Sequence, residues 1–421
     1  MSWMRWRHMV VVTQMAVVLA LVLAAHAMAA ETVKLRYFTW ATNASIIIED
    51  WIEPFQKEYP HIEIEYEAVP FAQFHEKLLT YCLAGNPPDI VHISVGYVNE
   101  FARRGLLVNL QPYFNRDMNP NDYFLEPMSA MRYPSQTSGD LYGMPFAFVV
   151  TPLYYNKTIF DRRGVAYPDL NWEWNDVRAA ARKLVEDING DGTPDTWGYF
   201  ASYGYSSLEP VIHSFGGRVL DEDYNVVVDQ PKAVEAVKFL VDMVLHDRTA
   251  PSSGSFSTLF RQGKVAMGID LNSNIDVYRQ EAFDWDVAVL PKGPEKRVVR
   301  AWPDSFAIMS GSPHVEAAWT YIRFVTSQMK MDRYIGDRKI PVYKPLAMSR
   351  EWLQQDMKPN KQIIIQSVQW GDPLEFRPRW GEWTDLRNAP MGAVWRGQLA
   401  PEYGLKQWAD GIRAVLSSPF Q

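Results

Sequence analysis

The sequence predicts an α/β fold with room for more than one hydrophobic core. Two observations carry that expectation. Segments of alternating apolar and polar residues are separated by amphipathic segments of helical period, and the opening order strand, helix, strand, helix, strand marks a layered, mainly parallel sheet. The chain is also long, at 421 residues, enough for two sizeable cores after a leader is removed.

The first element is that leader. Arg5, Arg7 and His8 form a basic start, an apolar run follows from Val10 to Ala27, and Ala27-Met28-Ala29 gives the small-residue spacing of a cleavage site. Residues 1–30 are therefore read as a signal peptide cut near Ala29 or Ala30, sending a soluble protein to the periplasm. An uncleaved anchor is the competing reading, but Thr13, Gln14 and His26 interrupt the run. The lone cysteine, Cys82, lies far beyond the cut, so neither lipid attachment there nor an internal disulfide is expected.

Val33 to Phe38 alternates as a strand. Ile46 to Tyr59 is an amphipathic helix stopped by Pro60, and Ile62 to Val69 alternates again. Phe74 to Ala84 reads as a helix ended by Gly85. Pro87-Pro88 breaks the chain before a short buried strand, Asp89 to Ile93. The pattern returns later. Asp176 to Asp187 is a helix capped by Asn175, and Pro231 to His246 is another. Val265 to Ile269 and Trp285 to Leu290 are strands, and Pro313 to Ser327 is a helix with proline at its start.

Removing Arg5 and Arg7 takes the formal charge of -7 to about -9, which argues against a nucleic-acid partner, since that needs a basic face. The chain carries 16 Trp and 21 Tyr. Such rings either fill cores or stack on the C–H faces of sugars, and most are expected in cores.

The order of several local patterns resembles the family 1 extracellular solute-binding proteins of maltodextrin-binding type. They are Ala84-Gly85-Asn86-Pro87-Pro88-Asp89-Ile90-Val91, the stretch FARRGLLVNL from Phe101, and LYGMPFAFVVTPLYYNK from Leu141. NWEWNDVRAAARKL, the segment from Arg300 to Ser327, and the closing GQLAPEYGLKQWADGIRAVL complete the series, which spans almost the whole chain beyond the leader. The resemblance implies a type II two-lobe clamp whose discontinuous lobes are joined by strand-like crossings. It places residues 31–148 and 303–342 in an N-terminal lobe, and 149–302 and 343–421 in a C-terminal lobe. It implies a non-catalytic monomer that binds a carbohydrate, as sugar, oligosaccharide or polyol derivative, and delivers it to the permease subunits of an ABC importer. No cofactor is required.

Ligands of such clamps sit in the crevice near the carboxyl ends of strands. Trp40 follows the first strand, and Ser94 and Tyr97 follow the third. Tyr154 and Tyr155 alternate on a strand, so one of them is expected at the cleft and the other in the core. Asp270 and Asn272 lie where the family places Gly and Trp; this departure favours hydrogen bonding over stacking, with an Asn-rich turn as the alternative. Trp302 and Asp304 sit on the return crossing, and Trp380 and Trp383 in the segment that forms one wall.

One loop is read two ways. Asp187, Asn189, Asp191, Thr193 and Asp195, with Gly192 at the sixth position, match the first part of a Ca²⁺ loop, but Gly198 stands where the bidentate Glu belongs. The loop is either a structural Ca²⁺ site or a polar turn. No H-E-x-x-H, Walker or G-x-S-x-G motif is present. A secreted carbohydrate-active enzyme and a ligand sensor for a membrane receptor remain as alternative functions.

Overall fold

The computed structural model describes residues 32–221, 223–328, 333–336, 338–354, 360–372 and 379–418. The leader and its cleavage site lie outside them. No helix among the described residues is long and apolar enough to cross a membrane.

The first lobe is built as the alternation dictates. β1 (Val33–Thr39) turns Leu35, Tyr37 and Thr39 into the core, and the helical run 44–58, α1, covers it with Ile47, Trp51 and Phe55. β2 (Ile62–Ala68) pairs parallel with β1 along its whole length, from Val33 opposite Ile62 to Thr39 opposite Ala68. α2 (Phe71–Leu83) starts three residues earlier than its periodicity suggested and ends before Gly85, whose φ of +68° suits the turn. β3 (Ile90–Ser94) pairs parallel with β1 on its other side and runs directly into α3 (Val95–Arg103).

The chain then leaves along β4 (Met144–Val150), and Thr151-Pro152 connects it to β5 (Leu153–Asn156) in the second lobe. There α4 (Trp174–Leu184), α5 (Tyr205–Ser214) and α6 (Pro231–Leu245) surround a sheet of β5, β6 (Met267–Ile269) and β7 (Trp285–Ala288). β8 (Val299–Ile308) returns the chain, followed by α7 (Val315–Thr326) and β9 (Ile340–Pro341). The short α8 (Trp380–Trp383) and the long α9 (Pro401–Ser417) close the described chain.

The large sheet has the order β9-β4-β8-β3-β1-β2, and Gly371–Asp372 adds a short strand beside β8. Its β3-β1-β2 part is parallel, as is the pairing of Gly371–Asp372 with β8. Both crossings enter antiparallel, β8 against β3 and β4, and the second lobe's sheet is antiparallel throughout. The mainly parallel expectation therefore holds at one end of one lobe. β4 feeds β5 without an intervening helix, so no βαβ crossover separates the two sheets at this crossing.

Three element expectations are corrected. α4 begins at Trp174, because Glu173 is its cap and Asp176 reaches back to the Glu173 N–H at 2.8 Å, leaving Asn175 inside the helix. α7 begins at Val315, two residues beyond Pro313. β6 holds only Met267 to Ile269, since Val265 instead bridges Trp197.

Candidate functional site

The carboxyl end of β3 lies beside the middle of β8, which enters antiparallel to it. Trp302 and Asp304 stand two apart on β8 and share a face. Asp304 pairs in register with Ser94 at the end of β3, so the Ser94 side chain joins the same face. The Asp304 carboxylate accepts a hydrogen bond from Lys339, whose ammonium also lies 4.3 Å from the Tyr334 ring centre. Burial alone would lower the Lys339 ammonium, but Asp304 and Tyr334 outweigh it and raise it to about 12, so this group is a cation at any physiological pH.

Two aromatic patches flank this polar strip. On the first lobe, half-buried Trp40 meets Phe71 at 5.4 Å, Phe74 at 5.0 Å and His92 at 5.1 Å between ring centres. Tyr97 stacks on His75 at 3.4 Å. His92 anchors the patch from beneath, with the Tyr37 hydroxyl 2.7 Å from Nε2 and the Thr39 hydroxyl 2.6 Å from Nδ1. Burial holds His75 neutral, at about 3, and pushes His92 in the same direction. On the other side, Trp302, Trp380 and Tyr205 meet edge to face, with centres 5.2 to 6.1 Å apart. Arg300 and Arg387 lie 5.1 and 5.2 Å from the Tyr205 ring centre, and Arg300 is paired at 2.6 Å with buried Glu209. The patches approach each other at α8. A Cβ on Gly381 would stand 3.5 Å from the Tyr97 hydroxyl, in ordinary contact, which places α8 beside the first lobe's patch.

Trp40, Ser94, Tyr97, Trp302, Asp304 and Trp380 are therefore brought to one region. Five other expected residues are not. Tyr154 and Tyr155 are both buried, because β5 is the central strand of its sheet and is covered on both faces. The Tyr154 hydroxyl donates to the Leu271 carbonyl at 3.0 Å, and Tyr155 packs on Phe160 and Tyr167. Asp270 is turned into its own loop, accepting from Tyr278 at 2.5 Å and from Asn274 at 2.9 Å. Asn272 is buried at the crossing, where it accepts from Val150 N–H at 2.7 Å and donates to the Arg338 carbonyl at 2.9 Å. Trp383 is 1% exposed and belongs to the C-terminal core.

Sequence reasoning missed Tyr205, Phe71, Tyr334 and Lys339. Tyr205 opens a helix and Lys339 precedes a two-residue strand, so neither carries a local motif; only the return of distant segments places them here.

The loop at 187–195 directs its oxygens to its own backbone. Asp187 accepts from Gly190 at 2.7 Å and Gly192 at 2.8 Å, Asp191 from Thr193 at 2.8 Å, and Asp195 from Ile188 at 2.7 Å. Among the described residues no group of three or more His, Cys, Asp or Glu side chains is placed to hold a metal ion. These bonds build a polar turn, and each carboxylate keeps lone pairs that they do not use.

Comparison with known proteins decides the family. Residues 40–331 match the bacterial extracellular solute-binding protein family. This chain belongs to that family. A putative binding protein of Brucella abortus is 26% identical over 94% of this chain and 96% of its own length. The galactooligosaccharide-binding protein of Bacillus subtilis is 22% identical over 88% of this chain and 87% of its own. Among solved structures, the ABC substrate-binding protein of Listeria monocytogenes in complex with cycloalternan has a TM-score of 0.75 at 23% identity, covering 92% of this chain and 100% of that one. A cyclo/maltodextrin-binding protein complexed with maltotetraose has a TM-score of 0.76 at 20% identity, over 92% and 98%. The solute-binding protein thus has the type II two-lobe clamp fold.

Proposed function

We propose that this solute-binding protein captures a carbohydrate between its lobes and presents it to the permease of an ABC importer from the periplasmic side of the membrane. The observation that carries the reading is the pairing of two aromatic patches, around Trp40 and around Trp302, with a polar strip of Ser94, Asp304 and Lys339 between them. A sugar offers apolar C–H faces to such rings and hydroxyls to such polar groups. Relatives and neighbours of this fold include proteins named for galactooligosaccharide binding and one bound to maltotetraose, which supports the same class of ligand.

Binding without turnover is the expected behaviour. A glycosidase needs two carboxylates flanking the scissile bond, whereas Asp304 is held by Lys339 and Asp270 by its own turn. The test is a panel of sugars, oligosaccharides and polyols offered to pure protein, with heat released and product analysed together. Saturable binding of at least one unchanged saccharide supports the proposal. Steady hydrolysis, or no binding across the panel, overturns it.

A further inference from the structure

One cavity of about 250 Å³ opens in the cleft beside Trp40, and its lining comes from both lobes: Trp40 and Asn43 from the first, Ser273 from the turn after β6, and Tyr334, Arg338 and Lys339 from the segment before β9. Its polar lining is unbalanced. Two side chains carry full positive charge, and no carboxylate among the described residues lines the space. Asp304 bonds Lys339 and Asp276 lies 3.3 Å from Nε of Arg338, but both acids stand outside the lining. An ammonium has three donors and a guanidinium five, so each cation keeps N–H groups to offer. The Asn43 side chain does not cap the helix that begins at Ala44, which leaves its amide for the cavity too.

Neutral hydroxyls do not need two cations. Asp304 and Asp276 balance the charge of Lys339 and Arg338 from outside the lining, but closing the lobes around a neutral sugar would strip water from the N–H groups these acids do not reach. An acceptor-rich anion offsets that loss through charge-assisted hydrogen bonds. The charged groups that face the cavity are both basic in a chain whose formal charge is -7, so its lining differs from the average surface.

We infer that the solute carries an anionic group, a carboxylate or a phosphate on a carbohydrate, seated in this cavity against Arg338 and Lys339. The ring bearing it lies against Trp40 and Tyr334. This rests on the carbohydrate reading and narrows it to acidic saccharides or sugar phosphates.

Matched pairs test it by calorimetry: glucose against glucuronate and glucose 6-phosphate, and galactose against galacturonate and trigalacturonate, each at about 20 and about 200 mM NaCl, on either side of physiological screening. The expected result is at least about tenfold tighter binding of one anionic member than of its neutral parent, weakened severalfold by salt. Whether the carboxylate or the phosphate arm wins identifies the anion. Arg338→Gln should remove the advantage while leaving thermal unfolding unchanged, since the Arg338 side chain is 45% exposed. The double variant Lys339→Gln with Asp304→Asn removes the second cation without stranding its acid. Equal or tighter binding of the neutral parents, unchanged in Arg338→Gln, overturns the inference and leaves the carbohydrate reading standing. Binding of no saccharide of either kind overturns both.

Discussion

Trp380 and Trp383 stand three positions apart in one helix and have different surroundings. Trp380 is half-buried against Trp302 and Tyr205, whereas Trp383 is 1% exposed. The sequence supplies the rings but not their depth, which depends on where α9 packs. Trp302→Ala should therefore weaken ligand binding at least tenfold with a small loss of stability, while Trp383→Ala should cost about 3–5 kcal/mol in folding. Urea unfolding and calorimetry on the same samples check both, and full affinity in folded Trp302→Ala would remove it from the site. His75 gives a pH dependence. Its ordinary value of 6.5 falls to about 3 on burial, so the unfolded chain takes up a proton that the folded one refuses. Stability is full above pH 6.5 and should fall as pH drops from 6.5 toward 3, by about 1.4 kcal/mol per unit for one such group. His75→Phe should flatten the slope measured by denaturant unfolding between about pH 7.5 and 4.5; an identical slope would assign the acid sensitivity elsewhere.

At the scale of elements, the sequence was legible where local chemistry decides. Alternation located β1 and β2, and Gly85 and Gly105, both at a φ of +68°, mark the ends of α2 and α3. It was less legible in the second lobe, where strands are short and covered on both faces, so Tyr154 and Tyr155 lose the inside-outside distinction that alternation relies on. The loop at 187–195 shows a further limit. Its Asp and Asn spacing suits both a Ca²⁺ loop and a set of side-chain-to-backbone turns, and the observed hydrogen bonds are common to the two. On the turn reading chelator should leave the melting temperature unchanged, and Asp187→Ala should cost about 0.5–1.5 kcal/mol with or without it, because water reaches the freed Gly190 and Gly192 N–H groups. A chelator-sensitive melting point, lost in Asp191→Ala, would restore the metal reading.

At the scale of the whole molecule, the motif order made the clamp legible, because the two crossings carry long, recognisable segments. The residues that join the crossings were not legible, since they meet only in space. Asn272 is the clearest of them. Its Oδ1 accepts from the N–H of Val150, at the end of the first crossing, and its Nδ2 donates to the carbonyl of Arg338, in the segment that precedes β9. One buried amide thus ties the second lobe's turn after β6 to two passages of the first-lobe sheet. Both bonds depend on the amide having an acceptor and a donor at opposite ends. Asn272→Ala removes both and leaves a buried N–H unsatisfied, which should cost about 1–3 kcal/mol of stability. Asn272→Asp keeps an acceptor for Val150 but turns a carboxylate oxygen toward the Arg338 carbonyl, so it should unfold more easily still. Because the tie lies beside the cavity lined by Ser273 and Arg338, loosening it should also raise the ligand's dissociation rate more than it lowers the association rate. Stopped-flow binding and equilibrium unfolding of the two variants test this together. Wild-type stability and wild-type dissociation in both would show that the crossings are held by the strands alone.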